Sequence, residues 1–240
     1  MKTRIAVSWS SGKDSAWMLH RLRCQDDVEV VGLITTFQEQ TDRVAMHSVR
    51  SELVDAQARA TRLPLWRVPL PWPCNNADYE RRMGTAWKEC RRHGVTHVAF
   101  GDLFLEEIRD YRIQQLAGTG LTPLFPIWCG PEGTPALARA MIAAGLQAVV
   151  TCVDSGQISP AFLGREFDEE LLRDLPPSAD PCGENGEFHT FCYAGPAFEC
   201  PVPIVAGTTT ARDGFPFLDV TSAGFPPSSR PNDSPSGPAG

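Results

Sequence analysis

Short apolar runs alternate with amphipathic stretches from residue 4 to residue 102, and that alternation restricts the fold more than any other feature of the chain. The runs 4–9 (RIAVSW), 28–34 (VEVVGLI), 65–70 (LWRVPL), 96–102 (THVAFGD) and 147–154 (QAVVTCVD) predict strands. Residues 13–24, 47–62, 77–93, 105–117 and 134–144 predict helices. Trp17, Met18 and Leu22 mark the first; Pro64 ends the second and Gly94 the third. Strand and helix alternating over residues 4–102 give a parallel sheet with helices on both faces, and 147–154 is a further strand in a second half that looks different. Ligands of such sheets bind beyond the carboxyl ends of the strands. Ser8–Ser15 and Gly101–Asp102 both lie at such ends, so they should converge on one cleft.

The pattern changes after about Asp174, where proline and glycine punctuate short strands. We read residues 1–120 as a nucleotide-binding domain and 121–222 as a smaller C-terminal lobe that closes over the cleft. Residues 223–240 hold too little apolar content to fold and predict a disordered tail. The net charge of −7 disfavours an extended nucleic-acid partner. No apolar run reaches the roughly 20 residues that cross a bilayer, so no membrane role is expected. The eight cysteines form no C-x-x-C pair and read as reduced thiols of a cytoplasmic protein.

The first strand runs straight into Ser10-Ser11-Gly12-Lys13-Asp14-Ser15 and then into a helix. The segment is not a Walker A loop, because Val7 stands where its first glycine belongs and Asp14 follows the lysine. It also lacks the G-x-G-x-x-G dinucleotide fingerprint. What remains is an anion cradle at a helix N-terminus, with hydroxyls, a glycine for close approach and a lysine. Asp14 is placed to hold a phosphate-bound Mg²⁺. An ordinary helix start needs one capping hydroxyl and an acid, not three serines and a glycine ending a buried strand.

A second unusual stretch is PCGENGEFHTFCYAGPAF, residues 181–198. Glu184 and Glu187 flank Asn185-Gly186, and residues 174–211 hold five acids and no Lys or Arg. Two carboxylates without a local cation repel unless a metal, a cationic ligand or a shared proton relieves them. A solvated acidic turn explains Asn-Gly equally well.

SSGKDS resembles the pyrophosphate loop, usually SGGKDS, of the N-type ATP pyrophosphatases. GENGEFHT resembles the G-E-x-G-E-[FY]-x-T signature of the diphthine–ammonia ligase family, whose members also begin with that loop. GDLFLEEIRDYRIQQL and GLTPLFPIW, within 101–128, resemble its strand-end Gly-Asp, downstream arginine and Pro-x-Trp. The resemblance implies a Rossmann-like fold of the HUP type and an ATP-dependent, AMP-forming amide ligase. ATP adenylates a carboxylate, pyrophosphate leaves, and ammonia displaces AMP.

Carried onto this chain, Ser8, Ser10, Ser11, Gly12, Lys13, Asp14, Ser15, Gly101 and Asp102 bind ATP, with Asp14 on Mg²⁺. Lys13, Asp14, Arg112, Glu184 and Glu187 act in catalysis, the last two on ammonium, substrate or a second metal. The implied partners are ATP and a carboxylate-bearing acceptor with ammonium, and elongation factor 2 where the host makes diphthamide; a homo-oligomer stays open. Ser11 stands where glycine is usual, a departure that costs the resemblance little unless the position needs positive φ. His189 stands where the diphthamide enzymes carry a third acid. A bacterial paralogue acting on another small acceptor, related to cobalamin salvage, and a non-catalytic ATP sensor are the alternatives.

Other residues read as structural. His189 with Cys182, Cys192 and Cys200 matches no zinc spacing. Trp66, Trp72 and Trp128 read as packing. Residues 46–50 read as either a solvated helix start or a contact to the nucleotide.

Overall fold

The computed structural model describes residues 2–44, 49–212 and 214–224. The predicted tail lies outside these residues beyond Gly224, as does most of the 46–50 segment. In chain order the first part comprises β1 (Thr3–Ser8), α1 (Lys13–Arg23), β2 (Val28–Gln38), β3 (Arg43–Val44), α2 (Ser51–Thr61), β4 (Leu65–Leu70), α3 (Asn76–Arg92), β5 (His97–Ala99), α4 (Glu106–Leu116) and β6 (Thr122–Leu124). The second part comprises α5 (Thr134–Ala143), β7 (Gln147–Val153), α6 (Glu169–Asp174), β8 (Phe188–Ala194), β9 (Ile204–Arg212) and β10 (Phe215–Ser222).

The first sheet runs β4-β2-β1-β5-β6, all parallel, with β3 added antiparallel to the end of β2. This is the Rossmann-like α/β sheet read from the alternation. The second sheet, β8-β7-β10-β9, is antiparallel and forms the C-terminal lobe. The parallel sheet closes with β6, past the boundary expected at residue 120.

The period-two geometry of β1 divides the core. Ile5 and Val7 join the cluster built by α1, α2 and the second sheet, while Ala6 joins that built by α3 and α4. A strand buried on both faces must be apolar at successive positions, which is why this one reads as a continuous run. The first cluster includes Leu19, Leu53, Val150 and Phe191, so the second lobe shares one core with the first part.

The second helix starts later than its sequence predicts. Arg50 is extended (φ −62°, ψ 139°) and caps α2 at Ser51. It is held there by Asp219 of β10, which pairs with both Arg43 and Arg50. That contact joins residues 169 apart in sequence, and Arg50 also bridges Arg43 along the backbone. No helix among the described residues is long and apolar enough to cross a membrane.

Candidate active site

Where β1 and β5 end, the chain leaves a polar cavity of about 200 Å³. It is lined by Ser8, Ser10 and Gly12–Ser15 from the first loop, and by Gly101, Asp102 and Arg112 from beyond β5. Gly183, Glu184, His189 and Thr190 complete it from the second lobe. The two sequence signatures, some 170 residues apart, therefore face each other. The ends of β1 and β5 bring the first loop and Gly101–Asp102 together, and β8 of the antiparallel sheet brings the second signature against them.

The loop is clamped from the second lobe. The Lys13 amide donates to Thr190 Oγ1 at 3.1 Å, and the Cys192 amide donates to the Ser11 carbonyl at 2.9 Å. Gln57, fully buried in α2, ties three pieces together. Its Nε2 donates to the Ser11 and Cys192 carbonyls, and its Oε1 accepts from Trp9 Nε1 at 2.8 Å. A Cβ on Gly12 would stand 3.2 Å from the Thr190 carbonyl oxygen, so glycine permits this close approach.

Lys13 is 2% exposed. Its Nζ donates to both oxygens of Asp14 at 2.9 Å and to the Cys182 carbonyl, with the rings of Phe167 and Phe188 at 5.4 and 5.6 Å. Burial works against its charge, but Asp14 and the acids beyond it outweigh burial and hold its pKa above the usual value. On the opposite wall, Arg112 Nε lies 3.7 Å from Asp102 Oδ2, too far for a hydrogen bond. Both atoms are sealed from water and have no hydrogen-bond partner. Burial, opposed by Arg112, pushes Asp102 up.

Glu184 accepts from the Leu103 amide at 2.7 Å. Burial first, then the charges of Asp14 and Asp102, push it up to about 7. His189 is driven down to about 4 by burial and by Lys13, so its imidazole is neutral at pH 7.

Two expected site residues stand off the cavity wall. Glu187 is 1% exposed, and its Oε1 accepts from the Asp180 amide and from Asn185 Nδ2. It holds the shape of the 180–187 turn. Ser11 is fully buried, its hydroxyl has no partner, and its φ is +73°. The position does take positive φ, the condition under which serine there was expected to matter.

Reading the sequence missed Gln57 and Thr190. A glutamine on the buried face of SELVDAQARAT was the available signal for the first. Trp72, read as packing, is 53% exposed at the rim of a neighbouring cavity. Among the described residues no group of three His, Cys, Asp or Glu is arranged to hold a metal ion, and no cysteine is in a disulfide.

Residues 2–119 match the family described as diphthamide synthase N-terminal domain, and residues 134–220 match the diphthamide synthase C-terminal domain. The chain belongs to the diphthamide synthase family. A curated bovine (Bos taurus) relative, diphthine–ammonia ligase, is 22% identical over 244 aligned residues. The alignment covers 92% of this chain and 90% of that protein. The family's two halves meet at the cavity described above, so its membership and its geometry point to the same place.

Proposed function

We propose that this diphthamide synthase family member is an ATP-dependent carboxylate–ammonia ligase that forms AMP and pyrophosphate. One observation carries the reading: the helix-start loop, Lys13, Arg112, Asp102 and Glu184 converge on a single polar cavity at the strand ends. A cavity with two cations and preplaced hydroxyls suits a triphosphate, whose leaving pyrophosphate gathers negative charge as the α–β linkage breaks. An acceptor carboxylate oxygen attacks the α-phosphorus, and pyrophosphate departs. Ammonia then attacks the acyl carbon, AMP departs, and one proton must leave the nitrogen. Glu184 faces that space and is the base we assign. Glu187 positions the turn that carries it.

Mg²⁺ fits the donors present. The ion keeps much of its water shell and takes one or two carboxylates together with phosphates. Asp102 has an oxygen without a hydrogen-bond partner, set 3.7 Å from Arg112, whereas both Asp14 oxygens are held by Lys13. Asp102 is therefore the first carboxylate we assign to the ion, with Asp14 joining when Lys13 turns to phosphate. When bound, the ion supplies charge neutralisation on the phosphates.

The bovine relative's name gives diphthine and ammonia as what it joins, and diphthine on elongation factor 2 is the first acceptor to try. The test is product identity. Incubated with ATP, Mg²⁺, ammonium and candidate acids, the protein should release AMP, and Asp102→Asn should lower that rate by about 10²-fold. ADP as the product would refute the reading.

A further inference from the structure

The cavity at the strand ends suits a triphosphate, and the nucleoside needs space beside it. A larger cavity of about 420 Å³ shares Ser8, Ser10, Phe100 and Arg112 with it, so the two are continuous. One side of the larger cavity is the end of β2, with Thr35 and Thr36. The other side is the facing pair α3 and α4, with Trp87 and Gln115. Among the described residues lining it, Arg112 alone is charged, and it stands at the junction of the two cavities. A ligand lying across both therefore has its anionic end near Arg112 and a neutral body beyond, which is the charge layout of a nucleotide. The rings of Tyr79 and Tyr111 give that body flat neighbours.

The two sides differ in what they leave unpaired. On β2, Thr35 Oγ1 is already engaged, donating to the Trp9 carbonyl at 2.8 Å. On α3 and α4, Trp87 Nε1 and both amide atoms of Gln115 are buried and have no hydrogen-bond partner. Orphaned buried donors and acceptors carry their full desolvation cost. A carboxamide with neither group satisfied is relieved by a ligand that presents a donor and an acceptor side by side. The 6-amino edge of adenine does so: the amino group donates to Oε1 and the adjoining ring nitrogen accepts from Nε2, the pairing glutamine makes with adenine in DNA. The indole N–H of Trp87 is a donor only, and suits a further ring nitrogen. Spacing agrees with this placement. Gln115 follows Arg112 by three residues in α4, so the two share a helix face and lie about 4.5 Å apart along its axis. That is the scale of the sugar ring that separates phosphate from base.

We propose that Gln115 is a specificity-determining residue for the nucleotide, its carboxamide holding the 6-amino edge of adenine with the base against α3 and α4 rather than against β2. The proposal rests on the ATP reading above and adds the side chain that selects the base.

Titration calorimetry on the full chain with Mg²⁺ tests this without turnover. The probes are α,β-methylene-ATP and the α,β-methylene triphosphate of purine riboside, which carries hydrogen in place of the 6-amino group. The native protein should bind the adenine nucleotide about tenfold tighter, the worth of one such hydrogen bond. Gln115→Leu should bring that ratio close to one while still binding the purine riboside nucleotide, which also shows that the variant folds. Gln115→Glu keeps an acceptor for the amino group and should keep a preference for adenine. The proposal is overturned if the native protein binds the two nucleotides equally, or if the ratio survives in Gln115→Leu, which would put the base against β2. It is also overturned if Gln115→Leu and Gln115→Glu both lose both nucleotides, which would make Gln115 a structural residue. Failure of the ligase reading looks different: the adenine preference would persist while ATP yields no AMP.

Discussion

Replacing Ser11 with glycine should stabilise the protein, although serine is the native residue. Its φ of +73° lies in the left-handed region, where an L side chain costs roughly 1–2 kcal/mol. Its hydroxyl is fully buried and unpaired, at a cost of about 1–3 kcal/mol. Glycine removes both terms and returns roughly 0.5–1 kcal/mol through the greater entropy of its unfolded chain. The balance is a gain of about 2 kcal/mol, or ~4–8 °C in Tm for a chain of this length. Ser11→Ala separates the terms, since it removes the hydroxyl but keeps the strained φ, and should gain about 1 kcal/mol. Calorimetry and urea unfolding of the three proteins give the comparison, with an unchanged m value showing that only stability has moved. A glycine variant no more stable than the alanine variant would refute the backbone argument. Two variants both weaker than native would refute the claim that the hydroxyl is orphaned.

Three more outcomes follow from the contacts around the site. Gln57→Leu strands Trp9 Nε1 and takes a donor from the Ser11 and Cys192 carbonyls, and should cost about 2 kcal/mol or more in urea unfolding, together with a loss of nucleotide affinity as the loop loosens. Asp219 is held down to about 2, first by hydrogen bonds from Arg50 and against some burial, so its contribution is present above the ordinary carboxylate pKa and is lost as pH falls from about 4 to 2. Asp219→Asn should therefore lower stability by about 1 kcal/mol at pH 7, in a pair open to solvent on the arginine side; Tm measured against pH should show the two proteins converging near pH 2. Glu184 has its pKa raised, so ionising it opposes folding above pH 7. Glu184→Gln should raise Tm at pH 8, with a gain that shrinks as pH falls toward 4.5, and should slow amide formation.

The parallel sheet was legible because its strands are buried on both faces and so write themselves as apolar runs. β4 spans the predicted 65–70 and α3 lies within a residue of its predicted ends. The β9–β10 hairpin was legible only as part of a stretch of loops and short strands: IVAGTTTAR and FPFLDVTS carry a glycine, a proline and a run of threonines that hide their bounds, and their pairing with each other holds them extended. The start of α2 was misplaced for a related reason: Arg50 is extended and its partners, Asp219 and the Arg43 backbone, are far away or outside the helix pattern.

The acidic loop shows where spacing stops being informative. Glu184 and Glu187 are three apart in sequence, yet one meets Leu103 at the cavity and the other folds back onto the Asp180 amide. Gly183 and Gly186, both at positive φ, turn the chain between them, and a Cβ on Gly183 would stand 2.8 Å from the Phe188 carbonyl oxygen. Which carboxylate reaches the cavity is decided by that turn. Gln57, Ser11 and Cys192 likewise meet only in three dimensions.

The most direct measurement of the central claim is a crystal structure of the protein with α,β-methylene-ATP and Mg²⁺. It should show the triphosphate in the cavity between Gly12–Ser15 and Glu184, with the α-phosphorus on the side of Arg112 and Asp102. A nucleotide seated elsewhere, with that cavity holding only solvent, would contradict it.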